Sequence, residues 1–297
     1  MSDDAAAQMP PMGPMRPGPV GPGSFPQRKD DGLFGPGSLT WRVYADPSAP
    51  LGLMAAVLLQ ALNPHMMRLF DAVSSNRSDP QGRAARTSQY ILTTVFADSA
   101  HARAAGAMVR RQHAHATWTD PTTGEVLAAD TPAWLAWTHN TLVWGVLRSC
   151  DVYGPALAPA EQDRLIAEQF RLAELVGLEP GTLPSTRGAL DAYIDGQRGW
   201  LAMTLPAAEA TTSLRRPKLW GNPLKVVPGL FLQDGILALL PDWGRKLYGI
   251  DGRAVSLRVG RSVTGGILAV ARRSKSYSQV LSETLAEAEA HPYARAK

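Results

Sequence analysis

The stretch Leu51–Leu62, LGLMAAVLLQAL, is the most apolar run in the chain and decides its fold class. Apolar and polar residues do not alternate in it, which disfavours a strand, and it ends at Asn63-Pro64, where proline restricts the residue before it. The run therefore predicts a helix over about residues 51–62. It is too short to span a bilayer, and no stretch approaches eighteen uncharged apolar residues, so no transmembrane segment is expected.

Outward from this run, apolar residues recur at helical spacing, and no alternating segment is long enough to seed a sheet. We therefore predict an all-α fold with one helical domain over residues 31–297. Asp98 or Ser99 is expected to cap one helix, Pro132 to open another, and Gly177 to end a third. Further helices are predicted at about 79–95, 98–116, 131–150, 159–176, 186–203, 224–248 with a break or bend, and 276–290.

The first 38 residues differ in composition from the rest, because they hold eight prolines and seven glycines. Such a segment buries too little apolar surface to offset its ordering entropy, so residues 1–30 are interpreted as a disordered arm. The repeated Met, Pro and Gly residues leave a docking tail open as an alternative. Asp3 and Asp4 begin the arm and no apolar h-region follows, so it does not read as a secretory signal.

Charge and cysteine content exclude several classes of protein. Thirty Lys and Arg against 26 Asp and Glu give a net charge of +4, which does not indicate a nucleic-acid partner. The single cysteine, Cys150, excludes an intramolecular disulfide and a multi-cysteine metal site, and favours a cytoplasmic location. The span Leu224–Leu240 predicts either a core helix or lid, or a peripheral contact with a membrane surface.

His113 is the first candidate for binding a cofactor. His113 and His115 lie two apart in a predicted helix, so their side chains diverge and cannot chelate one metal together. Steps of three and four from His113 place small apolar residues on its face, among them Val109, Gly106 and Ala102. A flat group such as haem could lie there with His113 reaching its iron; the alternative is close helix packing beside a core histidine.

Two further clusters could carry chemistry. Arg83 and Thr87 share a helix face with Arg86 beside it, which suits a carboxylate or a bound oxygen species, or else is a solvated basic edge. Aromatic residues crowd the helix over 131–150, where they wall a cofactor pocket or simply pack in the core: Trp134, Trp137, His139 and Trp144. The motifs of hydrolases, P-loop enzymes and nicotinamide-dependent enzymes are absent from the sequence.

Over about residues 32–250 the chain resembles the MpaB oxygenase family, whose domain is shared with the latex-clearing proteins, or rubber oxygenases. The order and spacing of short phrases carry the resemblance: Gly35-Pro36-Gly37-Ser38, Trp41-Arg42-Val43, Ala45-Asp46-Pro47, Leu58–Leu62, Arg83–Tyr90, Val109–His113, Asp130, Trp137-Thr138-His139, Ala167-Glu168-Gln169 and Ala173–Gly177.

The resemblance implies an all-α domain with a globin-like core that binds haem b, with His113 as the axial ligand of the iron. It also assigns the pocket arginine and threonine to Arg83 and Thr87. His139 is the reserve candidate for the iron. Members of the family use haem and dioxygen on small hydrophobic substrates, such as isoprenoid or secondary-metabolite chains.

Three positions depart from the family pattern. Asn63 stands where the family commonly has histidine before proline, and Trp118 stands where a glycine follows the ligand histidine. Arg86 replaces the lysine of latex-clearing members. The resemblance predicts a haem-dependent oxygenase; the alternatives are a non-catalytic haem sensor or carrier, in which Asn63 and Trp118 mark a lapsed pocket, and a helical scaffold without a cofactor.

Overall fold

The structure is a computed structural model that describes residues 29–35, 37–73, 80–212 and 223–274, with side chains omitted at 80–85 and 223–228. The predicted arm, apart from its last two residues, and the predicted helix over 276–290 lie outside the described residues. The described chain is almost wholly helical, which confirms the all-α prediction.

Twelve α-helices occur in the described ranges, and two short strands lie between the fifth and the sixth. The helices are α1 (Leu39–Tyr44), α2 (Ala49–Gln60), α3 (Pro64–Val73), α4 (Pro80–Phe96), α5 (Ser99–His115), α6 (Pro132–Val152), α7 (Pro159–Leu175), α8 (Arg187–Gly196), α9 (Leu205–Ala210), α10 (Pro223–Leu237), α11 (Asp242–Leu247) and α12 (Ala254–Arg273).

The predicted helix boundaries agree best where a local signal marks the end. The Asp98 side chain caps α5 by accepting a hydrogen bond from His101 N, and Pro132 occupies the first turn of α6. Gly177 follows α7 with a φ of 90°, a left-handed conformation that favours glycine at a helix C-terminus. The helix predicted over 186–203 is wrong at its end, because α8 stops at Gly196 and a 3₁₀ turn follows.

Two predictions about secondary structure need correction. Strands β1 (Thr117–Thr119) and β2 (Val126–Ala128) form an antiparallel ribbon, which the sequence did not predict because each strand has only three residues. Four helices were also missed, namely α1, α3, α9 and α12. Asp251–Arg273, which includes α12, is the one described helical span that is long and apolar enough, by length and composition, to cross a membrane.

Helices α2 and α6 form the centre of the core. They pack backbone to backbone, because a Cβ added to Gly145 would lie 2.3 Å from the carbonyl oxygen of Gly52. Farther along the pair, Gln60 Nε2 donates a hydrogen bond to Thr141 Oγ1 at 2.9 Å. The contacts run in opposite directions along the two helices, so α2 and α6 are antiparallel. Because their backbones touch at Gly52 and Gly145, no space for a ligand is left between them there.

Distant segments close the domain around this pair. Glu168 on α7 caps α1, since its carboxylate accepts hydrogen bonds from the backbone N–H and the hydroxyl of Thr40, both at 2.8 Å. Helix α10 packs against α12, where a Cβ added to Gly235 would lie 2.3 Å from Thr264 Oγ1. The C-terminal part of the Leu224–Leu240 span is buried. Residues 235–240 therefore belong to the core, as the first of the two predictions for this span expected.

Helices α4 and α5 form a hairpin on the side of the core. Only residues 97 and 98 join them, and the two helices are in contact. The hairpin is packed near this connection, where Val95, Phe96 and Ala102 are buried. At the other end Arg86 and Thr87 are exposed, so the two helices offer an accessible end close to the predicted site residues.

Candidate functional site

His113 lies in the last turn of α5, at the accessible end of the hairpin. The residue is half-buried, whereas His115 is exposed and its Nδ1 pairs with the carbonyl oxygen of Arg111 at 2.7 Å. The two side chains therefore diverge as their spacing predicts. His113 Nδ1 is buried and has no hydrogen-bond partner among the described residues. A buried ring nitrogen without a partner is costly, and it marks His113 as the histidine of α5 that is available to a ligand.

The surroundings of His113 favour its neutral form. Burial lowers the pKa of the His113 imidazole below its usual value, and a weaker attraction to the Asp130 carboxylate opposes this shift. A neutral imidazole keeps a lone pair on one ring nitrogen, which is the form that binds a metal. Asp130 is exposed and lies just before α6, whereas His113 lies on α5. The negative charge near His113 therefore comes from a different part of the chain.

The stripe of small residues below His113 has two parts. Ala102 and Gly106 are buried, and a Cβ added to Gly106 would lie 2.9 Å from Leu175 Cβ at the end of α7. Gly106 therefore packs against a neighbouring helix, as the helix-packing alternative predicted. The contact that the structure shows for Gly106 is with Leu175, not with a cofactor. Val109, one turn before His113, is only half-buried and extends the apolar surface that is left accessible.

The predicted pocket residues of α4 lie in the N-terminal half of that helix. Arg83 lies 14 residues before the connection and His113 lies 15 residues after it. Arg86 and Thr87 lie within the next turn of α4 and are exposed. Only the backbone of Arg83 is described. Two arginines, a threonine and His113 thus lie on two consecutive helices, α4 and α5, which are in contact.

His139 lies apart from this group, in the middle of α6. It is buried, and burial lowers the pKa of its imidazole to about 4, so it stays neutral at physiological pH. The tryptophans of α6 mostly pack in the core, as the alternative interpretation predicted. Trp137 is fully buried, and the Trp144 indole donates a hydrogen bond to Asp191 Oδ1 at 3.0 Å.

The two departures from the family pattern occupy defined places. Asn63 is fully buried, and its Oδ1 accepts a hydrogen bond from Met66 N, which caps α3. Trp118 lies on β1, and the Arg68 guanidinium lies over its indole, with Arg68 Cζ 6.0 Å from the centroid of the Trp118 ring. Trp118 also lines a shallow cavity of about 480 Å³ between α3, β1 and α9. A side chain as large as tryptophan thus fills space that glycine would leave open.

The donor set of the described residues limits how a metal could be held. No group of three His, Cys, Asp or Glu side chains in the described ranges is arranged to bind a metal ion. Glu168, the best placed carboxylate of α7, is engaged in capping α1. A metal at His113 would therefore not be held by three such side chains of the described residues, and a porphyrin could supply the remaining ligands of an iron.

The fold defines a class of protein: a single, almost wholly helical domain, whose candidate histidine lies in the last turn of α5. Residues 41–273 match the family model for the ER-bound oxygenase mpaB/B'/Rubber oxygenase, catalytic domain. The match covers more than half of the chain, so the protein belongs to this oxygenase family. Comparison with curated proteins and with solved structures gives no match.

Three residues near the site were not assigned a site role from the sequence. Asp130 was named only among the phrases that carry the family resemblance, whereas its carboxylate affects the pKa of His113. Leu175 closes the stripe at Gly106, and Arg68 stacks on Trp118 and pairs with Asp120. These contacts join separate elements, so no local pattern marks them.

Proposed function

We propose that the protein is a haem b-dependent oxygenase that acts with dioxygen on a small hydrophobic substrate, with His113 as the axial ligand. The observation that carries the proposal is the His113 ring, which is kept neutral by burial and has a buried Nδ1 without a described partner. Membership of an oxygenase family supports the reaction class. A bound haem supplies iron that activates dioxygen.

The remaining roles fall to side chains at the accessible end of the hairpin. The guanidinium groups of Arg83 and Arg86 suit the propionates of haem or an anionic oxygen species, because they remain charged and donate several hydrogen bonds. The Thr87 hydroxyl is a neutral donor on the same helix face as Arg83. Val109 offers apolar surface beside His113, which suits an isoprenoid or secondary-metabolite-like substrate.

Asp130 is proposed as a positioning residue for His113. Its carboxylate attracts a proton or partial positive charge on the imidazole. A carboxylate near a metal-binding histidine holds the ring in one tautomer and raises its basicity. Asp130→Asn should therefore weaken haem retention less than His113→Ala does, and should shift the pH at which haem is released.

Haem titration followed by absorption spectroscopy tests the cofactor assignment. The wild type and His115→Ala should develop a Soret band on addition of haem, and His113→Ala should lose most of it. His115 is a matched control because it lies on the same helix turn and is exposed. A normal spectrum in His113→Ala together with its loss in His139→Ala would assign the ligand to His139, and no haem binding at all would overturn the proposal.

A non-catalytic haem sensor or carrier is the second candidate function. The observation in its favour is Trp118, which stands where the family pattern has glycine and lines a cavity beside α3. Oxygen uptake separates the two functions: the oxygenase consumes dioxygen in proportion to an added hydrophobic substrate, whereas a sensor or carrier binds haem without such consumption. Trp118→Gly should raise the uptake if the tryptophan restricts access to the site.

A further inference from the structure

The outer face of α12 is an apolar surface without a partner among the described residues. The inner face packs on α10 through Leu257, Gly260, Thr264 and Leu268, which are buried. On the opposite side a stripe at intervals of three and four is exposed. We call it the valine stripe, and it consists of Val255, Val259, Ser262, Gly266 and Val270. Val255 is 75 % and Val270 69 % exposed.

Positive charge flanks the valine stripe. Residues 254–273 contain four arginines and no acidic residue. Arg272 pairs with Asp46, whereas Arg258 and Arg261 are exposed and form no salt bridge within the described part of the chain. An amphipathic helix with an exposed apolar stripe and unpaired cations is suited to a partner that is apolar on one face and acidic beside it.

The chain that follows α12 has this composition. Residues 276–290, SYSQVLSETLAEAEA, contain three glutamates and no basic residue. Apolar residues recur at helical spacing in it, which predicts an amphipathic helix: Tyr277, Val280, Leu281, Leu285 and Ala288. Ser274 ends α12 with an extended backbone, φ −81° and ψ 139°, so the chain does not continue α12 in a straight line.

We propose that residues 276–290 fold back as a helix onto the valine stripe of α12. Residues 274 and 275 then form a two-residue connection, which suffices for an antiparallel helix pair. Fifteen residues extend about 22 Å as a helix, enough to cover about three quarters of α12. Counting from the connection, residue 288 is level with Arg261, so the glutamate-rich end of the segment, with Glu287 and Glu289, lies beside the turn of α12 that carries Arg258 and Arg261.

Attachment in the same chain favours this occupant over a second copy. A segment joined by two residues is present at an effective concentration in the millimolar range or above, whereas a second copy competes only at its own concentration. The charge pattern also distinguishes the segment, because α12 and residues 276–290 carry opposite charges, whereas two copies of α12 would bring arginines together. A membrane surface remains a distinct outcome of the experiment.

Hydrogen exchange of the full-length protein at micromolar concentration tests the proposal. Backbone amides within 276–290 should exchange at least about tenfold more slowly than in an unstructured peptide, and the Val259→Asp/Val270→Asp double variant should lose this protection. Val126→Asp is the matched control, since Val126 is 66 % exposed on β2 and lies outside the stripe. Arg261→Glu should weaken protection, and adding Glu287→Arg with Glu289→Arg should restore it.

Three results would overturn the proposal. The first is free exchange of residues 276–290 in the wild type, which would show that the segment does not dock. The second is protection that disappears on dilution together with a halving of the mass in light scattering, which would assign the stripe to a second copy. The third is protection only with vesicles of phosphatidylcholine and phosphatidylglycerol, which would assign it to a membrane surface.

Discussion

The α2–α6 pair and the α4–α5 hairpin differ in how their helices meet. In the α2–α6 pair two glycines bring the backbones into contact, and the surrounding residues of both helices are buried. In the hairpin, burial is strong near the connection and declines toward Arg86 and Thr87 on α4 and toward His113 on α5. The comparison shows that the tightly packed α2–α6 pair supports the fold. The α4–α5 hairpin, whose packing is looser away from its connection, carries the candidate site.

The largest expected effect is on the α2–α6 pair. Gly145→Ala should lower the free energy of unfolding by about 3 kcal/mol or more, because its Cβ would meet the backbone oxygen of Gly52 and neither helix backbone can move alone. Urea denaturation measures the change. Gly188→Ala is the control, since a Cβ there meets nothing within 4 Å and should stabilise α8 slightly. Similar free energies for both variants would show that the pair is not tightly packed.

A comparable effect is expected from pH, through His139 on α6. Its pKa is about 4 in the folded protein and about 6.5 in an unfolded chain, so between these values only the unfolded state binds the proton. Stability should therefore fall by about 3 kcal/mol as the pH drops from 6.5 to 4. Urea denaturation at several pH values should show a shallower fall for His139→Asn than for the wild type. Parallel pH profiles would mean that His139 does not resist protonation.

A smaller effect is expected where the hairpin packs on α7. Gly106→Ala brings a Cβ to 2.9 Å from Leu175 Cβ, which moves only with its backbone, but Leu175 is the last residue of α7 and a helix end can shift more readily than the middle of a helix. The free energy of unfolding should decrease by about 1 kcal/mol. Adding Leu175→Gly, which removes that Cβ, should relieve the clash, and a double-mutant cycle measures the relief as a coupling energy. A coupling energy of zero would show that α5 and α7 do not meet at this point.

The smallest effect concerns the attachment of the hairpin to the N-terminal segment. Asp30 Oδ1 accepts a hydrogen bond from Ser99 N at the start of α5, at 2.8 Å, so the end of the predicted disordered arm contacts the domain. Deleting residues 1–28 should leave the Tm unchanged, and deleting residues 1–30 should lower it by roughly 1–2 °C. Calorimetry measures both. A larger decrease for the shorter deletion would show that the arm itself docks.

Much of the hairpin could be predicted from the sequence, because its signals are local. Asp98 caps α5, and the residues between α4 and α5 are too few for anything but a tight connection. The divergence of His113 from His115 follows from helix geometry alone. The spacing of small residues, however, could not distinguish a cofactor surface from helix packing at Gly106, because both require the same residue sizes.

The remaining features of the site depend on contacts between distant segments. Glu168 lies 128 residues from Thr40, and its role in capping α1 leaves no trace in the sequence near either residue. Trp118 departs from the family pattern, but only the position of β1 beside α3 shows that it stacks with Arg68. The three-residue strands were missed for a similar reason, since a short ribbon is stabilised by its neighbours rather than by its own periodicity.

By itself the sequence determined the helical class, the caps and ends of the main helices, the family resemblance and the candidate histidine. These depend on backbone and side-chain preferences that act within a few residues. Only the tertiary structure decided which glycines bring helices into contact, which half of the α5 stripe stays accessible and which charge approaches His113. Such features depend on the packing of segments far apart in the chain, and packing energy is set by the fit of both surfaces at once.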